Sequence, residues 1–173
     1  MNPPLSPLST IQDVAAAIAR TAGPQLAAGV PPARRGLYLA TGDAGVDVAV
    51  AFWAAALEAS PRFANPADFP WTLANAPAGL VARALQIQGP CHTLVGGADA
   101  LAAALAHADG DLARGRVREA LVVACDLAHP LRGSFLVLNE TRRARPAPAA
   151  PASATAALLA CGGQPVARSS AAP

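Results

Sequence analysis

The sequence predicts a single α/β domain in which a layered, mixed sheet carries helices on both faces. Its 173 residues, of which 53% are apolar, are enough for one domain with a buried core. Short apolar runs bounded by glycine and proline alternate with longer stretches of helical spacing, as is typical of α/β domains. Two late apolar runs have no helix between them, and they therefore predict an antiparallel edge of the sheet.

The first element is a helix over residues 9–20, for which Thr10 is the candidate N-cap. Its apolar side chains recur at helical spacing and share one face, which consists of Ile11, Val14 and Ile18. This face is expected to lie against the core.

A compact apolar run at residues 36–41 predicts a buried strand that ends at a turn over Gly42 and Asp43. A helix from about Gly45 to Ser60 follows this turn. Its apolar stripe consists of Val46, Val50, Trp53 and Leu57. We expect the stripe to face the core, because a surface helix usually buries its apolar side.

The second half of the chain continues the alternation. Asn75 opens a helix that runs to about Gln86, and a strand at residues 92–95 precedes a helix at residues 98–114. The shared face of that last helix consists of Leu101, Leu105, Ala108 and Leu112. Three further strands are predicted, at residues 117–125, 134–138 and 155–161.

Charge and composition exclude several classes of function. The net charge is only +2 and the basic residues are dispersed, apart from clusters at residues 34–35 and 142–145, so we expect no nucleic-acid partner. No run approaches the ~20 apolar residues of a membrane span, so no membrane partner is expected, and the N-terminus has no features of a secretory signal. Three cysteines within apolar stretches do not suit a disulfide scaffold, which favours a cytoplasmic location.

Three segments resemble a β-ketoacyl synthase, a family with a thiolase-like fold. In chain order they are TGDAGVDVAVAFW, ADFPWTLANAPAGLVARALQIQGP and GPCHTLVGGADALAAALAHADGDLARGRVREALVVACD, which together cover roughly residues 36–126. The middle segment is the most specific, and it also resembles chain-length-factor subunits and the ketosynthase-like proteins of aryl-polyene pathways. The resemblance implies the N-terminal half of a thiolase-like domain.

The resemblance also implies that the chain lacks ketosynthase activity. In active members the nucleophilic cysteine lies at a fixed distance after the glycine-proline pair, and counting from Gly89 this position is Ala98. Alanine has no thiol with which to form an acyl-enzyme, and Asp99 adds a carboxylate that opposes a thiolate. The family's two catalytic histidines belong to a second half-domain, which would follow residue 173 and is not part of this sequence.

The resemblance predicts a non-catalytic subunit that pairs with an active β-ketoacyl synthase in fatty-acid, polyketide or aryl-polyene type biosynthesis and shapes the acyl tunnel. A homodimer is the other arrangement, and an acyl carrier protein is a further partner. A core rich in alanine and poor in aromatics, at 4%, also favours stabilisation by a partner. The residues expected at the interface or tunnel are Phe69, Trp71, Asn75, His92, Thr93 and Val95. An exposed Trp71 would favour an interface over a loop anchored by buried aromatics.

Two other functions are left open. One is an acyl-thioester enzyme that uses Cys91 as a displaced nucleophile, although a small buried cysteine is the more usual interpretation. Its neighbour His92 would be a poor base for it, because adjacent strand residues point to opposite faces. The other is a ketosynthase fragment without function. Neither the cysteines nor the histidines His92, His107 and His129 have the spacing of a metal site, so no metal or cofactor is expected.

The expected domain organisation is one ketosynthase-like domain with short terminal tails. Residues 1–8 and 164–173 are expected to be disordered, and the domain spans residues 9–163. Within it, the proline- and alanine-rich stretch at residues 142–153 is expected to form an exposed loop.

Overall fold

The computed structural model describes residues 7–43, 45–60, 62, 64–96, 99–126, 132–139 and 157–160. Its helices are α1 (Pro7–Ala22), α2 (Val46–Ala59), α3 (Ala76–Ala84) and α4 (Asp99–Ala113). Its strands are β1 (Arg35–Thr41), β2 (Cys91–Val95), β3 (Glu119–Asp126), β4 (Arg132–Asn139) and β5 (Ala157–Ala160). Each predicted helix and strand has a counterpart here, with bounds that differ by one or two residues.

The five strands form one sheet in the order β2-β1-β3-β4-β5. Strands β2, β1 and β3 are parallel, and helices lie on both connections between them. This is expected, since parallel neighbours need a crossover connection. Strand β4 runs antiparallel to β3, and β5 antiparallel to β4. This order leaves β2 at one end of the sheet.

One face of the sheet is covered by α1 and α3. Its core is built from large aliphatic side chains, which include Ile11, Ile18, Leu37, Leu39, Val81 and Leu121. The apolar face of α1 is buried as predicted, with Ile11 and Ile18 each 1% exposed. Thr10 is not the N-cap, however, because α1 begins at Pro7 and Thr10 lies inside the helix.

The other face is covered by α4, which packs mainly through alanines. Ala104 and Ala108 are fully buried over Tyr38 and Val122 of the sheet. Small side chains allow the helix backbone to approach the sheet closely, so this layer is thin. The predicted face of α4 is therefore wrong at Leu101, which is exposed.

Helix α2 contradicts the sequence prediction, because its apolar stripe is exposed rather than turned towards the core. It buries Val48 and Ala56 instead. Gly45 immediately precedes the helix in the left-handed conformation, with φ of 75°, which glycine adopts without strain. At 3.6 residues per turn, the packed side and the predicted stripe occupy different sides of α2.

One buried ion pair connects the amino ends of β1 and β3. Arg35 Nε donates to Glu119 Oε2 at 3.0 Å, and the backbone N–H of Ala27 donates to the other carboxylate oxygen at 2.8 Å. Glu119 is 1% exposed, so these bonds are needed to compensate for burying its charge. Within the described ranges, no helix combines the length and apolar character that a membrane span requires.

Candidate functional site at the edge of the sheet

Strand β2 presents an open edge. The N–H of Leu37 donates to the Pro90 carbonyl at 2.9 Å, and the N–H of Gly96 donates to the Thr41 carbonyl at 3.0 Å. Because backbone groups alternate along a strand, these two bonds set the direction of every group between them. The residues that direct N–H and C=O away from β1 are Cys91, Thr93 and Val95. No strand among the described residues pairs with that side.

Side chains of β2 alternate between the two faces of the sheet. Cys91 and Thr93 lie in register with Leu37 and Leu39, on the side of α1 and α3. The Thr93 hydroxyl oxygen is buried and has no hydrogen-bond partner within the part of the chain that the structure describes. Val95, at the end of the strand, is 56% exposed. The edge therefore combines outward backbone groups, an apolar side chain and an unsatisfied hydroxyl.

On the α4 side, three rings form a column from the core to the surface. The ring of His92 stacks on buried Tyr38, with centroids 5.5 Å apart, and on His107 of α4 at 5.6 Å. His92 Nε2 lies 4.0 Å from Oδ2 of Asp111, which is four residues after His107 on the same helix face. The column fixes His92, whose side chain is 46% exposed, against α4.

The Asp111 carboxylate is the polar centre of this cluster. Tyr38 donates its hydroxyl to Oδ2 at 2.9 Å, while Arg114 and Arg116 donate to Oδ1 at 3.1 and 3.2 Å. Burial would raise the pKa of Asp111, but these hydrogen bonds hold it below its ordinary value. Burial and the neighbouring carboxylate raise the pKa of Tyr38 well above its usual range. The pair is thus an ionised acceptor and a neutral donor, which suits a structural role.

The cysteine of β2 does not form a reactive centre with its neighbour. Cys91 is exposed by surface area, yet partial burial of its thiol raises the pKa and disfavours the thiolate. His92 points to the opposite face, where it stacks on Tyr38. Cys125 is buried, whereas Cys161 and His129 lie outside the described residues. Within the described ranges, His, Cys, Asp and Glu form no group that could hold a metal ion.

The strand-to-helix junction predicted for the nucleophile follows β2 in the sequence. Strand β2 ends at Val95 and α4 begins at Asp99, with Asp99 in its first turn. Ala98 falls between them in sequence but lies outside the described residues. Its correspondence to the nucleophile position stays a prediction.

The remaining predicted residues lie in the segment before α3. Phe69 is 51% exposed and its ring contacts Phe52 of α2 edge to face, with centroids 6.1 Å apart. Trp71 packs against the core, so it is not the exposed aromatic that would favour an interface. Asn75 precedes α3 without a side-chain capping bond. His92, Thr93 and Val95 thus share strand β2, whereas the other three predicted residues belong to the segment before α3.

Sequence reasoning missed the cluster around Asp111. The spacing of His107 and Asp111, four residues apart on a helix, was the available signal. It did not identify the cluster, because Tyr38 and His92 come from strands that are neighbours only in the folded sheet.

No family model and no curated protein matches the sequence. Solved structures do match. The ishigamide ketosynthase/chain length factor is 20% identical, with a TM-score of 0.52 over 69% of this chain and 32% of that chain. A structure of the ketosynthase ApeO in complex with its chain length factor ApeC, from Xenorhabdus doucetiae, is 12% identical, with a TM-score of 0.54 over 71% of this chain and 50% of that chain. The chain therefore spans a third to a half of the length of these structures, and its fold is that of ketosynthase and chain length factor proteins.

Proposed function

We propose that this chain is a non-catalytic, ketosynthase-like accessory subunit that pairs with an active ketosynthase through strand β2 and shapes the acyl tunnel. The biosynthesis is of the polyketide, fatty-acid or aryl-polyene type. The observation that carries the proposal is the open edge of β2, where the backbone groups of Cys91, Thr93 and Val95 point away from the sheet. An unpaired edge is a template for a strand from another chain.

The chemistry of the edge favours a strand as its occupant. A partner strand would accept and donate hydrogen bonds at three successive outward residues, and it would cover the exposed side chain of Val95.

An assembly in which this fold occurs supports the choice of a ketosynthase as the partner. One of the matched structures is a ketosynthase in complex with its chain length factor. The proposed lack of catalysis rests on alanine at position 98, and it is supported by the raised pKa of the Cys91 thiol and the orientation of His92 away from it.

The test is co-expression with the full-length ketosynthase encoded nearest to this chain in its genome, followed by size-exclusion chromatography and native mass spectrometry. Wild-type protein is expected to co-elute with the ketosynthase as a heterodimer. Thr93→Pro removes an outward N–H that makes no bond to β1, so it should abolish the complex without unfolding the sheet. Thr93→Val keeps that N–H and is the matched control, which should retain the complex.

Circular dichroism and thermal denaturation of the separate variants establish that both are folded. A wild-type chain that stays monomeric beside the ketosynthase contradicts the proposal. A Thr93→Pro variant that is folded and still forms the heterodimer contradicts the role of β2.

A further inference from the structure

Helix α2 carries the largest group of exposed apolar side chains among the described residues. Val46 is 54% exposed, Val50 61%, Trp53 56% and Leu57 72%. These four residues, called the α2 face below, follow one another at helical spacing and form a continuous stripe. Most surface apolar residues of soluble proteins are scattered singly, whereas a contiguous stripe of this kind marks an interaction surface.

Aromatic contacts extend the α2 face towards the segment before α3. Phe52 meets Trp53 edge to face, with ring centroids 5.7 Å apart, and contacts Phe69 on its other side. Phe69 is itself half exposed. By fractional exposure, the stripe together with Phe69 presents roughly 500 Å² of apolar surface, which is at the upper end for a monomer.

Helix α2 begins near the end of the sheet at which β2 ends. Thr41 pairs with Val95 at the carboxyl ends of β1 and β2. Asp43 lies two residues after Thr41, and its carbonyl accepts a hydrogen bond at 2.8 Å from the N–H of Val46. Val46 is the first residue of α2. Val95 and Val46 are both more than half exposed, so apolar surface is present at the end of β2 and at the start of α2.

The surface area that a stable interface needs favours one partner that covers both the β2 edge and the α2 face. A stable, specific interface buries about 800 Å² on each partner, more than an edge strand of five residues offers. The strand would supply directional hydrogen bonds, and the α2 face would supply the apolar area that makes the interface stable.

Charge argues against a second copy of this chain as the occupant. Asp47 and Glu58 follow Val46 and Leu57 directly, and so they border the stripe, and Asp68 precedes Phe69. All three are exposed, and Arg62 is the basic residue of this segment. In a twofold pairing of two α2 faces, acidic rims would meet one another, whereas a partner with a basic rim would be attracted.

We infer that the α2 face is the second half of the surface that binds the proposed ketosynthase partner, which presents an apolar patch with basic residues at its rim. The inference rests on the proposed function and extends it from a single strand to a two-part interface.

The test uses the full chain and the same ketosynthase, with affinities measured by biolayer interferometry. Leu57→Asp places a charge on the most exposed residue of the stripe, near the end of α2, and it should weaken binding by about tenfold or more. Ala55→Asp adds the same charge at an exposed position outside the stripe, and it should bind as the wild type does. Glu58→Lys should weaken binding, because it places a basic residue opposite a basic rim. Added salt should lower the affinity of the wild type but raise that of this variant.

The outcomes distinguish the role of the α2 face from the proposed pairing through β2. If Leu57→Asp binds as tightly as the wild type while Thr93→Pro abolishes binding, the role of the α2 face is wrong and the strand pairing holds. If the wild type does not bind the ketosynthase, the proposed function itself is wrong. If sedimentation velocity shows a dimer of this chain alone that Leu57→Asp dissolves, a second copy covers the face and the inference is overturned.

Discussion

Helices α1 and α2 carry apolar residues at the same spacing, yet α1 buries its stripe and α2 exposes its own. Ile11, Val14 and Ile18 of α1 are almost fully buried against the sheet. Helix α2 packs through Val48 and Ala56, and leaves the more apolar side outward. Helical periodicity therefore predicts that an apolar face exists, but not whether this chain or a partner covers it.

The largest difference in stability is expected between two variants that each shorten one apolar side chain, one in the stripe of α1 and one in the stripe of α2. Ile18→Ala removes a fully buried side chain and should lower the free energy of unfolding by about 2–5 kcal/mol. Leu57→Ala removes a side chain that is mostly in solvent already, and it should change stability by less than ~0.5 kcal/mol. Urea denaturation followed by circular dichroism measures both. Equal losses would mean that the α2 face is covered within the monomer.

A smaller effect is expected at Asp111 of α4, a helix that buries a carboxylate among alanines. Asp111→Ala leaves the Tyr38 hydroxyl without its acceptor and removes the ion pairs with Arg114 and Arg116, whose side chains are more than half exposed. The expected loss is about 2–3 kcal/mol, since the two arginines can turn to water. Asp111→Asn keeps an acceptor for Tyr38 and should lose less. A loss below that of Leu57→Ala would contradict the assigned bonds.

The same carboxylate predicts a pH dependence. Because the pKa of Asp111 is lowered in the folded state, its ionised form stabilises the protein at pH values above the ordinary aspartate pKa of about 3.9. This contribution is lost as the pH falls through the lower folded value. The difference in melting temperature between the wild type and Asp111→Asn should therefore shrink on acidification from pH 5 towards strongly acidic values. A difference that is constant with pH would mean that Asp111 is not ionised in the fold.

The smallest effect is expected at Cys91, which like the α2 face is exposed in the isolated chain. Cys91→Ser should change stability by less than ~0.5 kcal/mol. Incubation with acyl-thioester substrates should add no covalent mass to the wild type, because the raised thiol pKa keeps the nucleophile protonated. An acyl adduct that Cys91→Ser abolishes would instead favour the enzyme hypothesis.

Local pattern was sufficient to predict the elements but not the site. The runs at 36–41 and 92–95 identify two strands, and the resemblance of the three segments to ketosynthases agrees with the fold of the matched structures. The cluster of Tyr38, His92 and Asp111 was not predictable, because its members are distant in sequence and meet only through strand register and helix packing.

Periodicity and glycine or proline breaks act over a few residues, and the sequence was therefore enough to predict the order of the helices and strands and their bounds to within two residues. It also determined that position 98 is alanine and carries no thiol. The position of β2 at the end of the sheet and the outward apolar stripe of α2 were visible only in the folded chain. Both depend on which strands pair and on how each helix packs against its neighbours, and these are set by contacts between residues far apart in the chain.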